Sequence, residues 1–130
     1  VYVGQTLRTN AAAIAQLQGL LAPRGWEVVA VPVTRRLHLK SSVTALPDGT
    51  VIGYPDAVDD PAAFPTFLAV PEEHGTAVVV LDERTVLMSS DAPETADLFR
   101  ARGLEVLTTP ITEFEKQEGC VTCLSVRLRD

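Results

Sequence analysis

The stretch that decides the fold is residues 24–34, which read RGWEVVAVPVT and return along the chain as residues 102–112, RGLEVLTTPIT. Both copies begin with Arg-Gly, continue through an apolar run rich in β-branched residues, and end at a proline. Such a run predicts a buried strand. An internal match of this kind is typical of repeated structural units that bury their faces against one another.

Each copy follows a segment with the signals of a helix. In the first, Asn10 is placed to cap the helix and Gly25 to end it in a left-handed conformation. The apolar residues that share one face of this helix are Ile14, Leu17, Leu20 and Leu21. The spacing therefore predicts an amphipathic helix directly before the first repeated strand.

The second copy repeats these signals. Asp91 and Glu94 resemble a capping box, Leu98 and Phe99 supply the apolar face, and Gly103 is the stop. Short strand-like runs at residues 1–3 and 86–88 precede the two helices, so the repeated unit is predicted to be strand, helix, strand, loop, strand.

The segment between the copies is predicted to contain a hairpin, in which the turn PDGT at residues 47–50 joins strands 37–46 and 51–54. Residues 61–69 are weakly helical in composition, and residues 76–81 are typical of a strand. We therefore predict an α/β fold of similar units with short mixed sheets, and we expect these units to form a ring.

Composition restricts the class of protein. The 130 residues are 46% hydrophobic and 22% charged, which is typical of one globular core. No apolar run approaches the ~20 residues that cross a bilayer, and no signal-like leader opens the sequence, so we expect a cytoplasmic protein without a membrane partner. The net charge of −6, with scattered basic residues, argues against a nucleic-acid partner.

His38 lies in the predicted strand 37–46, where alternation places it with Lys40, Ser42 and Thr44 on the polar face. A histidine at such a position is most often only a hydrogen-bonded residue at the end of a strand. The alternative is a general base, because the pKa of a free imidazole, about 6.5, is close to neutrality.

The two cysteines lie in a last predicted strand, residues 119–129. Alternation places Cys120 in the core with Thr122, and Cys123 on the presented face with Ser125, Arg127 and Arg129. Across an extended strand their α-carbons would be ~10 Å apart, which predicts neither a disulfide nor a shared metal ion. His38 and His74 do not add zinc-ligand spacing, so no metal is expected.

The repeat connects His38 with Cys123. Each follows a repeated unit and lies on a polar face, so in a ring of such units both side chains would point towards the axis. A thiol beside an imidazole is the arrangement that nucleophilic catalysis by cysteine requires, because the imidazole raises the thiolate fraction. We therefore predict a Cys123–His38 catalytic pair.

Three segments resemble one enzyme family: VGQTLRTN at residues 3–10, LHLKS at 37–41 and EFEKQEGCVTCLSV at 113–126. They are similar to the dimethylarginine dimethylaminohydrolases, within the pentein superfamily of guanidino-group-modifying enzymes. The resemblance runs almost end to end and covers the C-terminal half of such an enzyme. It implies that residues 1–130 are part of a five-bladed propeller of ββαβ modules, beginning at Val1 inside a module.

The resemblance also implies roles for individual residues. Cys123 would be the nucleophile that attacks the guanidinium carbon of methylated arginine, and His38 the acid and base. Arg8 would hold the substrate carboxylate, and the backbone carbonyl of Gln117 would accept from the substrate amino group. The products would be citrulline and an amine, with no cofactor.

Two features limit this assignment. Arginine deiminases carry His-x-Asp where this chain has His38-Leu39-Lys40, so the resemblance favours the dimethylaminohydrolases. The carboxylates that grip the guanidinium belong to the N-terminal half in the family, so we expect residues 1–130 alone to be inactive, with that half or a second chain as partner. The alternatives are an arginine deiminase or an amidinotransferase-like enzyme that acts on another guanidino compound, and a ligand-binding domain without activity.

Overall fold

The computed structural model describes residues 1–128, and the elements below are those of this part of the chain. The strands are β1 (Tyr2–Gln5), β2 (Val29–Pro32), β3 (Val43–Ala45), β4 (Val51–Gly53), β5 (Phe67–Ala69), β6 (Val79–Val80), β7 (Thr85–Ser89) and β8 (Glu105–Thr109). The helices are α1 (Ala11–Leu21), α2 (Leu39–Ser42), α3 (Pro93–Ala101) and α4 (Thr112–Glu115).

Three short sheets repeat one strand arrangement. The pairs β1–β2, β4–β5 and β7–β8 are parallel, and β3 and β6 each add an antiparallel strand to the second and third sheets. α1 and α3 connect the parallel strands of the first and third sheets, while two 3₁₀ turns, Pro55–Ala57 and Pro61–Ala63, replace the helix in the second. The predicted α/β fold of short mixed sheets in two to three modules is confirmed.

The helix signals before each repeated strand act mostly as predicted. The Asn10 side chain accepts a hydrogen bond from the Ala13 amide at 3.0 Å and caps α1. Gly25 and Gly103 have φ angles of 77° and 87°, a left-handed conformation that glycine adopts without steric cost. Both helical segments therefore turn back into their sheets at the predicted glycine.

Two helix predictions were wrong in part. Asp91 does not cap α3: Pro93 takes the first helical position, Ala92 precedes it, and the Thr95 amide donates instead to the Glu72 carboxylate at 2.7 Å. On α1, only Ile14 of the four predicted face residues is buried, and Leu20 is 65% exposed. A sheet of two strands is too narrow to cover the whole apolar face of a helix.

The region between the copies departs from its prediction at one end. The hairpin forms as expected, with the Leu46 amide donating to the Thr50 carbonyl at 2.8 Å. The predicted strand 37–46 is instead the one-turn helix α2 followed by β3. Leu39 and Val43 are four positions apart, a spacing that suits one helical face as well as one strand face, so alternation could not distinguish the two. Of residues 61–69, the first three form a 3₁₀ turn and the last three are β5.

Three apolar clusters hold the sheets. The largest lies between α3, β7 and β4, around Phe99, Met88 and Ile52, which are fully buried. A second joins β2 to β3 and β4. The third packs Val121 of the C-terminal segment on Val79 and Ile111. No helix within residues 1–128 is long and apolar enough to cross a bilayer.

We expect one substitution in the largest apolar cluster to destabilise the protein strongly. Phe99→Ala should lower the free energy of unfolding of the full-length protein by about 3–5 kcal/mol, because it empties a fully enclosed site. Asp97→Ala, on the exposed side of the same helix, should cost less than about 1 kcal/mol. Denaturant titrations measure both, and similar losses in the two variants would contradict the assigned core.

Candidate active site

The segment that carries both cysteines is a tight turn, not a strand. Residues 121–124 form turns, with the Cys123 and Leu124 amides donating to the Cys120 carbonyl at 2.9 and 3.2 Å. Residues 125–128 are likewise outside any strand, and Arg129 lies outside the described residues. The predicted strand 119–129 was therefore wrong, because the turn is fixed by a distant contact: buried Val121 packs against β6 and Ile111.

The backbone reverses direction at the end of α4 and then enters this turn. The Gly119 amide donates to the Phe114 carbonyl at 2.9 Å and the Glu118 amide to the Glu115 carbonyl at 3.0 Å. Glu118 has a φ angle of 59°, the left-handed conformation that closes this type of helix end. Gln117 is thus the last residue before the reversal.

The turn brings the two sulfur atoms together. Cys120 Sγ lies 3.1 Å from Cys123 Sγ and 3.0 Å from Thr122 Oγ1. Cys123 is exposed, as predicted, and both thiols are free. Cys120 is only half-buried, so its assignment to a separate core face was wrong: a turn places residues three apart on the same side.

The surroundings of Cys123 favour its thiolate. Hydrogen bonding by the Cys120 thiol, then by the Cys120 backbone, lowers the pKa of Cys123, and the Lys40 ammonium adds an electrostatic contribution in the same direction. Partial burial opposes these effects and is outweighed. A larger fraction of Cys123 is therefore thiolate at neutral pH than for an ordinary cysteine, and the thiolate is the form that attacks electrophiles.

Lys40 joins the cysteine turn to the segment that carries His38. Its Nζ atom donates to the Thr122 carbonyl at 3.3 Å, between residues 82 positions apart. His38 immediately precedes α2 with an extended backbone, and its carbonyl accepts from the Ser41 amide at 3.1 Å. The structure therefore brings the His38 and Cys123 segments together, although not on two strands.

A glycine in the first sheet permits this approach. A Cβ atom on Gly4 of β1 would lie 2.8 Å from Leu39 Cβ and 3.1 Å from Val33 Cγ2. Any side chain there would push α2, and with it His38 and Lys40, away from β1. Thr76 Oγ1 holds α2 from the other side by donating to the Ser41 carbonyl at 3.2 Å.

An open cleft of about 840 Å³ lies along these segments. His38 and Lys40 line it beside Thr122, Ser125 and Arg127. Most of the apolar part of its wall comes from β1, β3 and β6, and the rest includes Leu39, Val51 and Phe64. Among the described residues that line the cleft there is no carboxylate, whereas His38, Lys40 and Arg127 are basic. The cleft therefore presents hydrogen-bonding and basic groups, and Thr122, next to Cys123 along the chain, lines it, whereas Cys123 itself is not among the described residues that do.

Arg8 and Gln117 both lie at the surface of the described residues. Arg8 is exposed in a tight turn closed by hydrogen bonds between Thr6 and Thr9, two residues that line the cleft. Gln117 is exposed, and its amide donates to the Phe114 carbonyl at 3.0 Å. Neither side chain lines the cleft within the described residues.

Three residues contribute to the candidate site in ways that the sequence pattern did not indicate. Lys40 donates to the cysteine turn, and Val121 anchors that turn by its burial. The Ser125 hydroxyl donates to the Val121 carbonyl at 2.6 Å. Lys40 had a sequence signal, since it lies two positions after His38 in a segment already singled out.

Within residues 1–128, no three His, Cys, Asp or Glu side chains are grouped to hold a metal ion.

Comparison with known proteins finds proteins with similar sequences and similar structures. No protein-family model matches the chain. The dimethylarginine dimethylaminohydrolase of Streptomyces coelicolor is 57% identical over 130 residues, which are the whole of this chain and 50% of that protein. The chain therefore spans about half the length of this relative, and the resemblance predicted from its motifs is confirmed.

Solved structures show the same fold. A Cys-to-Ser mutant of dimethylarginine dimethylaminohydrolase from Pseudomonas aeruginosa, in complex with citrulline, superposes with a TM-score of 0.84 and 27% identity, over 98% of this chain and 51% of the other. An amidinotransferase of the saxitoxin pathway from Microseira wollei gives a TM-score of 0.85 at 18% identity, over 98% and 44% of the two chains. The chain therefore has the fold of the matched part of these two enzymes.

The contact between Lys40 and the cysteine turn predicts a change in thiol reactivity. Lys40→Gln removes the ammonium, raises the pKa of Cys123 and so reduces the thiolate fraction at pH 7. We expect alkylation of Cys123 by iodoacetamide at pH 7 to slow roughly two- to tenfold, with the midpoint of its pH–rate profile moving upwards.

Lys116→Gln is the matched control, because Lys116 is exposed and paired with Glu113 at 2.6 Å. Its alkylation profile should match that of the unsubstituted protein. An unchanged midpoint in Lys40→Gln, measured on the full-length protein, would contradict the electrostatic role of Lys40.

Proposed function

We propose that this chain, which resembles a dimethylarginine dimethylaminohydrolase along its entire length, supplies the nucleophile and the proton-transfer residue of such an enzyme. The reaction would convert N-methylated arginine to citrulline and methylamine or dimethylamine without a cofactor. The observation that carries the proposal is the exposed Cys123 thiol, with its lowered pKa, beside the segment of His38. The 57% identity to a dimethylarginine dimethylaminohydrolase supports the same substrate class.

Cys123 acts first in the proposed reaction. Its thiolate attacks the guanidinium carbon and forms a carbon–sulfur bond, giving a tetrahedral adduct. The carbon–nitrogen bond to the methylated nitrogen then breaks, the amine leaves with a proton, and a thiouronium intermediate remains on Cys123. The hydrogen bond from Cys120 and the charge of Lys40 maintain the thiolate that this attack needs.

His38 handles the protons. As the imidazolium it protonates the departing amine, and as the neutral imidazole it then removes a proton from the water that attacks the intermediate. Collapse of the second adduct breaks the carbon–sulfur bond, releasing citrulline and the Cys123 thiolate. The position of His38 in the wall of the cleft, close along the chain to Lys40, supports this role.

Arg8 and Gln117 would bind the amino-acid end of the substrate. A guanidinium can bind a carboxylate through two parallel hydrogen bonds, which suits Arg8 at its exposed turn beside the cleft. The Gln117 carbonyl would accept from the substrate ammonium, so the identity of its side chain would matter little.

A complete site requires groups from outside residues 1–130. The described lining of the cleft carries basic residues and no carboxylate, so a guanidinium bound there would lack a counter-charge. We propose that the N-terminal half of a five-bladed propeller, or a second chain, supplies the missing carboxylates, and that residues 1–130 form the C-terminal portion of that domain. The active protein would be cytoplasmic.

The absence of an acidic residue two positions after His38 favours methylated arginine over arginine as substrate. Where arginine deiminases carry an acidic residue two positions after the histidine, this chain places an ammonium that bonds to the cysteine turn. The deiminase pattern is therefore absent from this position. Turnover of free dimethylarginine and of arginine, compared on the full-length protein, distinguishes the two substrates.

The proposal predicts different losses for two substitutions. Cys123→Ser should reduce citrulline formation by at least roughly a thousandfold, because an alcohol without a strong adjacent base is a poor nucleophile. His38→Asn should reduce kcat by at least roughly a hundredfold while leaving substrate affinity within a fewfold of the original. Steady-state citrulline assays and calorimetric titration of substrate measure these effects.

His74→Asn provides the control for the histidine. His74 is the other histidine of the chain; its Nδ1 atom lies 3.4 Å from Glu115 Oε1, and it is not among the described residues that line the cleft. It should retain most of the activity. A loss of substrate affinity in His38→Asn as large as its loss of kcat would contradict the proton-transfer role.

A further inference from the structure

The cysteine turn contains a second thiol that the proposed mechanism does not consume. Cys120 Sγ lies 3.1 Å from Cys123 Sγ, and these are the only two cysteines in the 130 residues. We propose that Cys120 and Cys123 form a reversible oxidation site, at which a hydroperoxide converts the two thiols into an intrachain disulfide. Formation of the bond depends on the sulfur geometry alone, whereas the loss of activity that accompanies it rests on the proposed function.

The backbone already holds the geometry that the bond needs. Hydrogen bonds from the Cys123 and Leu124 amides to the Cys120 carbonyl close a turn in which residues three apart are neighbours. Neighbours in such a turn fall within the range of α-carbon separations that disulfides span. Val121, buried against Val79 and Ile111, keeps the turn in place, so rotation of the two side chains suffices.

The two thiols differ in the way that a reacting and a resolving cysteine must differ. Cys123 is exposed and lies near the Lys40 ammonium, so a hydroperoxide reaches its thiolate first. Cys120 is half-buried and hydrogen-bonded to Thr122 Oγ1 at 3.0 Å, which keeps it beside the product of that first reaction.

The chemistry proceeds in two balanced steps. The Cys123 thiolate attacks the terminal oxygen of the hydroperoxide, the oxygen–oxygen bond breaks, and the leaving alkoxide takes a proton, giving a sulfenic acid and an alcohol, or water from hydrogen peroxide. Cys120 then loses its proton and attacks the Cys123 sulfur, and hydroxide leaves as water. Overall, two thiols are oxidised to one disulfide while the hydroperoxide is reduced.

The disulfide would protect Cys123 from irreversible oxidation, and it would also prevent Cys123 from acting as the nucleophile. A sulfenic acid without a neighbouring thiol is open to further oxidation to the irreversible sulfinic acid. With Cys120 in contact, the competing reaction is intramolecular, and a dithiol reductant returns both thiols. Oxidation would thus be a reversible off state of the enzyme.

One tryptic peptide allows a direct test. Cleavage after Lys116 and Arg127 releases residues 117–127, which contain both cysteines. The full-length protein is treated with hydrogen peroxide, unreacted thiols are blocked with iodoacetamide, and this peptide is weighed by mass spectrometry. We expect a peptide lighter by two hydrogen atoms and free of alkylation, and restoration by dithiothreitol of at least roughly four-fifths of the lost citrulline-forming activity.

Cys120→Ala and Cys120→Ser provide the controls, and both preserve the backbone of the turn. Treated with peroxide until the same share of activity is lost, each should gain oxygen atoms on Cys123 as the sulfinic acid and recover less than roughly a tenth of its lost activity. Circular dichroism before treatment establishes that each variant is folded.

Three results would overturn the proposal: an unsubstituted peptide that gains two oxygen atoms with Cys120 alkylated, a disulfide that joins two protein molecules, or equal recovery in the Cys120 variants. An intramolecular disulfide that leaves citrulline formation unchanged would instead confirm the bond and contradict the role of Cys123 as nucleophile. The failure of the oxidation site and the failure of the proposed function therefore give different outcomes.

Discussion

The hydrogen bond from Lys40 Nζ to the Thr122 carbonyl joins two segments that are 82 positions apart, and the candidate site depends on it. One segment carries His38 and the other Cys123, and neither is part of a strand. Turns and one-turn helices have little stability of their own, because few hydrogen bonds repay the entropy of fixing the backbone. The hydrogen bond therefore holds the segments of His38 and Cys123 together, alongside the packing of Leu39 on Gly4 and of Val121 on Val79, and the ammonium also places a positive charge where it favours the Cys123 thiolate.

The modules provide the frame on which this cross-link closes. β1 accepts the close approach of α2 through Gly4, and β6 accepts the cysteine turn through Val79 and Val121. The reactive segments are thus irregular pieces mounted on the first and third sheets, and the cleft runs along these sheets and β3. This division is common, because binding residues lie disproportionately on loops that a rigid scaffold positions.

In the described residues 1–128, the correct fold predictions are those that rest on local sequence signals. The repeat, the stops at Gly25 and Gly103, and the hairpin at residues 47–50 follow from backbone conformations that few residue types favour. The strands predicted around His38 and Cys123 were wrong for one shared reason. Their alternating patterns were real, but contacts with distant residues, Leu39 against Gly4 and Val121 against Val79, determine the local conformation instead.

For Cys120 and Cys123, the wrong strand prediction also gave a wrong prediction of where the two thiols lie relative to each other. Read as a strand, Cys-Val-Thr-Cys separates the thiols and makes Cys120 a packing residue; as a turn, it puts the sulfur atoms in contact. No pattern within the segment distinguishes the two, because the deciding interaction is the burial of Val121 by residues far along the chain. The family resemblance indicated Cys123, and the structure adds its neighbour.

The most direct test of the account is to find where an electrophilic substrate mimic reacts. Full-length protein is incubated with a haloacetamidine analogue of arginine, digested with trypsin, and the peptide of residues 117–127 is sequenced by mass spectrometry. We expect one covalent label on Cys123, formed more slowly in the presence of citrulline. A label on Cys120 at an equal or greater rate, or labelling that citrulline does not slow, would contradict it.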